Sequence, residues 1–211
     1  CIVGEVQPRE LIQSGHLVPA LVKGPSQAVD KLAASPVDAY REHCAGRRAI
    51  VFCSSIKGAA DIAAEFTLAG IPARSVDGKM RDEDRAASIA DFRSGKLQVL
   101  TNVHVLTEGF DVRETGAVIL ARKMGSEAAY IQACGRGMRR ADGKKDCIVV
   151  DLLGTSYALG ILPDSDRVYS LEGKGVRASC DGAIAISQCR ACGSVFRATV
   201  FADSRCPACG W

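Results

Sequence analysis

Apolar and polar positions along the chain fall into blocks that switch between two periods. Arg48-Ala-Ile-Val-Phe-Cys53 is a continuous apolar run of strand length. After it, Ile56, Ala60, Ala63 and Phe66 recur at helical spacing until Gly70. Ala73–Asp77 is a second strand pattern, closed by Gly78. A helix over Asp82–Ser94 places Ala86, Ile89 and Phe92 on one face, and Gly95 stops it. Leu97–Thr101, Ala117–Ala121 and Cys147–Leu153 add three strand patterns. A short helix is predicted from Ser126, as N-cap, to about Cys134. Strand length, period and the stop residues decide each assignment.

Unbroken apolar strands separated by helices predict an α/β fold: a parallel sheet covered by helices on both faces. Functional residues are then expected at the carboxyl ends of the strands. Leu17–Lys23 reads as an extended segment, with Pro19 arguing against a central strand. Gln27–His43 reads as a helix interrupted at Pro36. After Pro163 the character changes to short stretches with glycines and clustered cysteines. The predicted organisation is a lead-in segment over 1–25, an α/β domain over 26–162 and a small module over 163–211.

Composition narrows this only slightly. With 47% hydrophobic and 24% charged residues the chain is of globular type, and a net charge of +3 is weak evidence for a polyanionic partner. The distribution matters more. Between Arg122 and Lys145 lie Arg122, Lys123, Arg136, Arg139, Arg140, Lys144 and Lys145 against only Glu127 and Asp142, a cationic excess suited to phosphates. No run approaches the roughly 18 apolar residues that a membrane helix requires, so no membrane partner is expected. Six of the ten cysteines are scattered, several in apolar segments, which fits free thiols in a reducing compartment such as the cytoplasm.

Three segments concentrate the chemistry: Ala49-Ile-Val-Phe-Cys-Ser-Ser55, Val99-Leu-Thr-Asn-Val-His-Val-Leu-Thr-Glu-Gly-Phe-Asp-Val112 and Tyr130-Ile-Gln-Ala-Cys-Gly-Arg-Gly-Met-Arg-Arg140. In order and spacing they resemble motifs IV, V and VI of superfamily 2 helicases, of the DEAD/DEAH type that includes restriction-subunit translocases and repair helicases. The resemblance covers roughly residues 45–155 and implies a RecA-like fold. It also implies that Arg136 and Arg139 are arginine fingers and Gln132 a γ-phosphate and water sensor. Gly109 and Asp111 are implied to meet the nucleotide, with Gly135 easing the backbone beside it. Ser54, Ser55 and Thr101 are implied to touch nucleic-acid phosphates. Arginine suits the finger role because its planar fork stays charged and grips phosphate oxygens bidentately. A helical turn presents residues three apart to one cleft. Phosphoryl transfer relies on such positioned charge.

The chain contains no G-x-x-x-x-G-K-[ST] loop and no Asp-Glu pair on a strand. The resemblance therefore implies that ATP with magnesium is shared with a first RecA-like domain, upstream or on another chain. The expected partner is nucleic acid, with DNA ahead of RNA. Because the chain starts at Cys1, it reads as a piece of a longer protein.

Cys189-Arg-Ala-Cys192 and Cys206-Pro-Ala-Cys209 are paired CxxC knuckles, each followed by glycine. Two such turns supply four thiolates to one tetrahedral centre, which predicts a structural zinc site in a zinc-ribbon module. Phe196, Arg197 and Phe201, between the knuckles, either form a small nucleic-acid surface or pack beneath the ribbon. An alternative from a different class is a non-catalytic nucleic-acid-binding or adaptor module working through that ribbon.

Overall fold

The computed structural model describes residues 6–103, 112–165, 186–198 and 205–211. Six strands run parallel: β1 (Ala20–Lys23), β2 (Arg48–Cys53), β3 (Ala73–Val76), β4 (Val99–Asn102), β5 (Thr115–Ala121) and β6 (Cys147–Asp151). A hairpin of β7 (Ile186–Gln188) and β8 (Ser194–Arg197) completes the sheet, in the order β3-β4-β2-β5-β6-β1-β8-β7. β8 pairs antiparallel with β1, through Val22 opposite Val195 and Lys23 opposite Ser194.

Successive residues of each central strand feed opposite cores. Ile50, Phe52, Val118, Leu120 and Val149 join Phe92 and Tyr130 on one face. Ala49, Val51, Ala117, Ile119 and Val150 join Tyr40 and Phe66 on the other. This double burial is why the strands read as unbroken apolar runs rather than as alternation. The helices on the second face are α2 (Pro36–His43) and α3 (Ile56–Leu68), keyed together by an edge-to-face contact of Tyr40 and Phe66 at 5.6 Å. On the first face lie α4 (Asp82–Ser94) and α5 (Glu127–Met138). Two short helices, α1 (Pro8–Gln13) and α6 (Thr155–Leu159), complete the described elements.

Several local expectations change. Pro36 starts α2 rather than interrupting a longer helix: Ser35 accepts a hydrogen bond from Val37 N at 3.2 Å and Pro36 takes the first turn, where no N–H is needed. Pro19 stands just outside β1, and its carbonyl still accepts from Cys147 N at 2.9 Å. The strand is thus internal to the sheet despite the proline. The core face of α3 is Ala59, Ala63 and Phe66, with Ile56 and Ala60 exposed. In α4 the buried residues are Ser88 and Phe92, and Ala86 faces water. The sequence pattern is thus out of phase towards the amino end, by one residue in α3 (Ala60 for Ala59) and by two in α4 (Ala86 for Ser88), because alanine carries little signal of its own.

Candidate functional site

α5 is the element that arranges most of the chemistry. Ser126 caps it by accepting from Ala129 N at 3.2 Å. Tyr130, Ala133, Cys134, Gly137 and Met138 are its buried residues, one stripe of a helix. The opposite surface carries Gln132 and Arg136, one turn apart, with Gly135 between them. The helix runs four residues beyond the predicted Cys134, to Met138. Arg139 is then its C-cap in extended conformation, φ −62° and ψ 137°. The two arginines therefore do not share a helical turn. Arg136 projects from the helix and Arg139 from the strand-like exit, both partly exposed.

Gly135 has open space where a Cβ would stand, so no packing requires a glycine there. The close approach belongs to Gly137, where a Cβ would fall 2.3 Å from Cys147 Sγ and 2.9 Å from Val118 Cγ2. Sequence reading passed over this glycine, although an isolated glycine within a helical pattern is a signal of such contact.

The exit of α5 is tied down by tertiary hydrogen bonds. Val18 N donates to Met138 O at 2.8 Å, and Leu17 bridges antiparallel to Arg139. Arg140 donates to Gly15 O at 3.2 Å, and Lys144 Nζ to Arg139 O at 2.8 Å. All of this lies at the amino ends of β1, β5 and β6. Of the candidate residues, Arg139 therefore lies at the amino ends of the strands, where the sequence led to the carboxyl ends. Burial pushes the Lys144 ammonium below its usual pKa, while Glu114 and Asp146 act in the other direction.

At the carboxyl ends, Ser54 is exposed after β2 and Ser55 caps α3 by accepting from Gly58 N at 3.1 Å. Ser54 borders a cleft of about 680 Å³ with Asp30, Lys31, Arg122 and Lys123. Lys123 Nζ lies 2.7 Å from Asp30 Oδ1, and this ammonium holds the Asp30 carboxyl below its ordinary pKa. Arg122 and Lys123 belong to the basic excess of the sequence, which by itself points to no particular site. Thr101 is a correction. It lies within β4, fully buried, and its hydroxyl donates to Ala59 O at 2.7 Å, so it braces α3 and is out of reach of a nucleic acid. Gly109 and Asp111 lie outside the described residues.

The four knuckle cysteines converge. Their Sγ atoms all lie within 4.8 Å of one another, with Cys189–Cys209 and Cys192–Cys206 both at 3.8 Å. A tetrahedron with Zn–S bonds of about 2.3 Å has an edge of about 3.8 Å. A disulfide would require about 2.05 Å. Gly193 and Gly210 follow the knuckles at φ 66° and 76°, a left-handed turn that favours glycine. The donor set therefore fits a tetrahedral thiophilic metal. The hairpin is fastened to β1: Lys23 Nζ donates to Cys192 O at 2.8 Å and to Ser194 Oγ, and Gln188 Nε2 donates to Gly24 O.

The helicase conserved C-terminal domain family matches residues 31–141, just over half of the chain and the span holding α2 to the exit of α5. The chain belongs to that family. Its motif-like segments are thus those of a helicase C-terminal domain, and the sheet with helices on both faces is the RecA-like fold of such domains. A 51.5 kDa protein of a Lactococcus phage (isolate 7-9) is 31% identical over 176 residues, covering 82% of this chain and 38% of the phage protein. The putative mitochondrial ATP-dependent helicase irc3 of Schizosaccharomyces pombe is 37% identical over 114 residues, covering 54% of this chain and 19% of irc3. Among solved structures, a fragment of a putative HsdR subunit of a type I restriction enzyme from Vibrio vulnificus YJ016 superposes with a TM-score of 0.62 at 19% identity. That superposition covers 78% of this chain and 38% of the fragment, and at this identity it speaks for the fold alone. The helicase C-terminal domain thus spans well under half the length of these curated relatives. Among its described residues no helix is long and apolar enough to cross a membrane.

Proposed function

We propose that the chain is the second RecA-like motor domain of an ATP-dependent nucleic-acid helicase or translocase. It acts by closing on a first domain that carries a Walker loop. The observation that supports this reading is that α5 and its exit, within the family-matched span, carry Gln132 and Arg136 one turn apart on the outer surface and Arg139 at the C-cap. ATP with magnesium, held between the two domains, supplies the phosphoryl group whose transfer drives the cycle. Arg136 and Arg139 neutralise charge that spreads over the γ-phosphoryl oxygens, and Gln132 orients the attacking water. Gly109 and Asp111 contribute on the ribose side, by the match of their segment to motif V.

The track lies at the other end of the sheet. Ser54, Arg122 and Lys123 border one cleft and suit backbone phosphates, which dominate sequence-independent binding. Ser55 spends its hydroxyl on the cap of α3, so the phosphate contact of this turn falls to Ser54. Zinc at Cys189, Cys192, Cys206 and Cys209 closes the hairpin as a structural element, supported by the 3.8 Å sulfur separations.

The test is ATP turnover by the whole protein, measured with DNA and with RNA side by side, against its Arg139→Ala variant and against the 211-residue chain alone. Turnover stimulated by one of the nucleic acids is expected, reduced about 10³-fold by Arg139→Ala and negligible in the isolated chain. A loss below about tenfold in the variant rejects the finger role. Robust turnover by the isolated chain rejects the two-domain division.

A further inference from the structure

Lys144 is an unusual lysine. Its Nζ donates to three main-chain carbonyls: Arg113 O at 3.0 Å, Arg139 O at 2.8 Å and Thr115 O. An ammonium has three N–H groups, so its donor capacity is filled by backbone. The carbonyls come from two places. Arg113 and Thr115 follow directly on the motif V-like segment and open β5. Arg139 is the C-cap of α5, the last position of the Q-x-x-G-R-x-x-R run.

The chain is built to bring the ammonium there. Lys144 N donates to Ala141 O at 3.2 Å, closing a tight turn in which Gly143 has φ 72°. A left-handed residue at that position favours glycine, and the turn folds Lys144 back beneath the helix exit. A helix leaves its last carbonyls without intrahelical partners, and often ends on a glycine that lets the following backbone reach them. α5 instead ends on extended Arg139. Its terminal carbonyls are met by Val18 N, at Met138, and by Lys144, at Arg139. The direction in which Arg139 leaves the helix is therefore set by tertiary contacts, and the Lys144 side chain reaches Arg139 itself.

We propose that Lys144 is a positioning residue for ATP hydrolysis, fixing the backbone of Arg139 to the start of β5 so that the guanidinium is presented in one geometry. A displacement of the Arg113–Thr115 backbone then reaches Arg139 through the Lys144 ammonium. This rests on the reading of Arg139 as an arginine finger.

The test uses the full-length protein with saturating nucleic acid and compares Lys144→Met, Lys144→Arg, Arg139→Ala and the double variant Lys144→Met/Arg139→Ala. Methionine keeps an unbranched stem and removes every donor. Lys144→Met is expected to lower kcat by about 10²-fold, the scale on which misplacement of a catalytic group by about 1 Å acts. KM for ATP should change by less than about threefold, as for an interaction made mainly in the transition state. The double variant should lose little beyond Arg139→Ala, because the two residues act as one unit. Lys144→Arg, with donors in a planar fork, should recover part of the rate. Amide exchange of residues 138–141 should quicken in Lys144→Met.

Arg139→Ala without effect rejects the finger reading and leaves the exchange result to judge the clamp. A large Arg139→Ala effect with Lys144→Met at wild-type kcat, or with fully additive losses, overturns the positioning role. If Lys144→Met does not fold, Lys144→Gln, whose shorter side chain cannot meet three carbonyls, carries the test: unchanged kcat together with unchanged exchange at 138–141 overturns the proposal.

Discussion

The two ends of the sheet are built on opposite principles. At the carboxyl ends, Ser54, Arg122 and Lys123 border an open cleft of about 680 Å³, and the ion pair of Lys123 with Asp30 is solvent-exposed. At the amino ends, Leu17 bridges to Arg139, Val18 N donates to Met138 O and the Lys144 ammonium donates to Arg139 O, and the neighbouring recess is only about 270 Å³. A surface that grips and releases a polyanion in each cycle gains from exposed, adaptable side chains. A charge delivered to a transition state has to arrive with little freedom left. One α/β layer holds both, because its strands keep the two ends apart.

If the four cysteines hold zinc as proposed, removing the metal should give the largest change, and at one end only. Metal binding supplies on the order of 10 kcal/mol in small zinc modules, far more than so short a hairpin gains by packing. At the carboxyl end of β1, Lys23 Nζ donates to Cys192 O and Ser194 Oγ, Gly24 N donates to Gly193 O, and Gly24 O accepts from Gln188 Nε2. With zinc stripped by a strong chelator, amide exchange should rise at Val22–Gly24 and Ser194–Val195. Leu17, Val18 and Arg139 should keep their protection, since their bonds lie beyond the other end of the strand. Equal loosening at both ends would show that the zinc hairpin serves the whole sheet. No change at either would remove the metal from the fold.

Gly137 and Gly135 give the next contrast, within a single turn of α5. In Gly137→Ala the new methyl meets Cys147 Sγ and Val118 Cγ2, both in the packed core. Overpacking of this kind costs about 1–3 kcal/mol, which exceeds the roughly 0.5–1 kcal/mol that alanine gains over glycine in a helix. Gly135→Ala meets nothing and should keep that gain. Denaturant unfolding should therefore move in opposite directions for the two variants. Adding Cys147→Ala to Gly137→Ala should recover stability by making room.

These residues also mark how much was legible in advance. The strands, the parallel sheet, Ser126 as cap and the cysteine tetrad could be read because each is local: an apolar run, a capping hydroxyl, a CxxC turn. Lys144 could be counted as a charge, but nothing in its neighbours says that three carbonyls, one of them 31 residues away, converge on it. Thr101 failed for the converse reason. Its position after apolar residues suited a phosphate contact, yet the neighbouring helix offered Ala59 O first. Cap and knuckle chemistry is written in adjacent residues, whereas the ties of Arg139 and Thr101 depend on which elements come to lie side by side.

The smallest effect should come from the exposed end. Lys123 and Asp30 are an exposed pair, so breaking it should leave the melting temperature unchanged. If Lys123 contacts one phosphate of the track, Lys123→Ala weakens nucleic-acid binding about equally across sequences and lowers the salt slope by about 1. Asp30→Asn should act in the opposite direction, because its carboxylate competes with phosphate for the same ammonium. Filter binding or anisotropy across a salt series reads both variants. A Lys123→Ala slope equal to wild type would take Lys123 off the track and leave Ser54 and Arg122 to carry it. The comparison would then sharpen to a narrower strip along the end of β2. Neither variant should change Arg139-dependent turnover at saturating nucleic acid, since the binding loss is then masked and the amino end keeps its own ties.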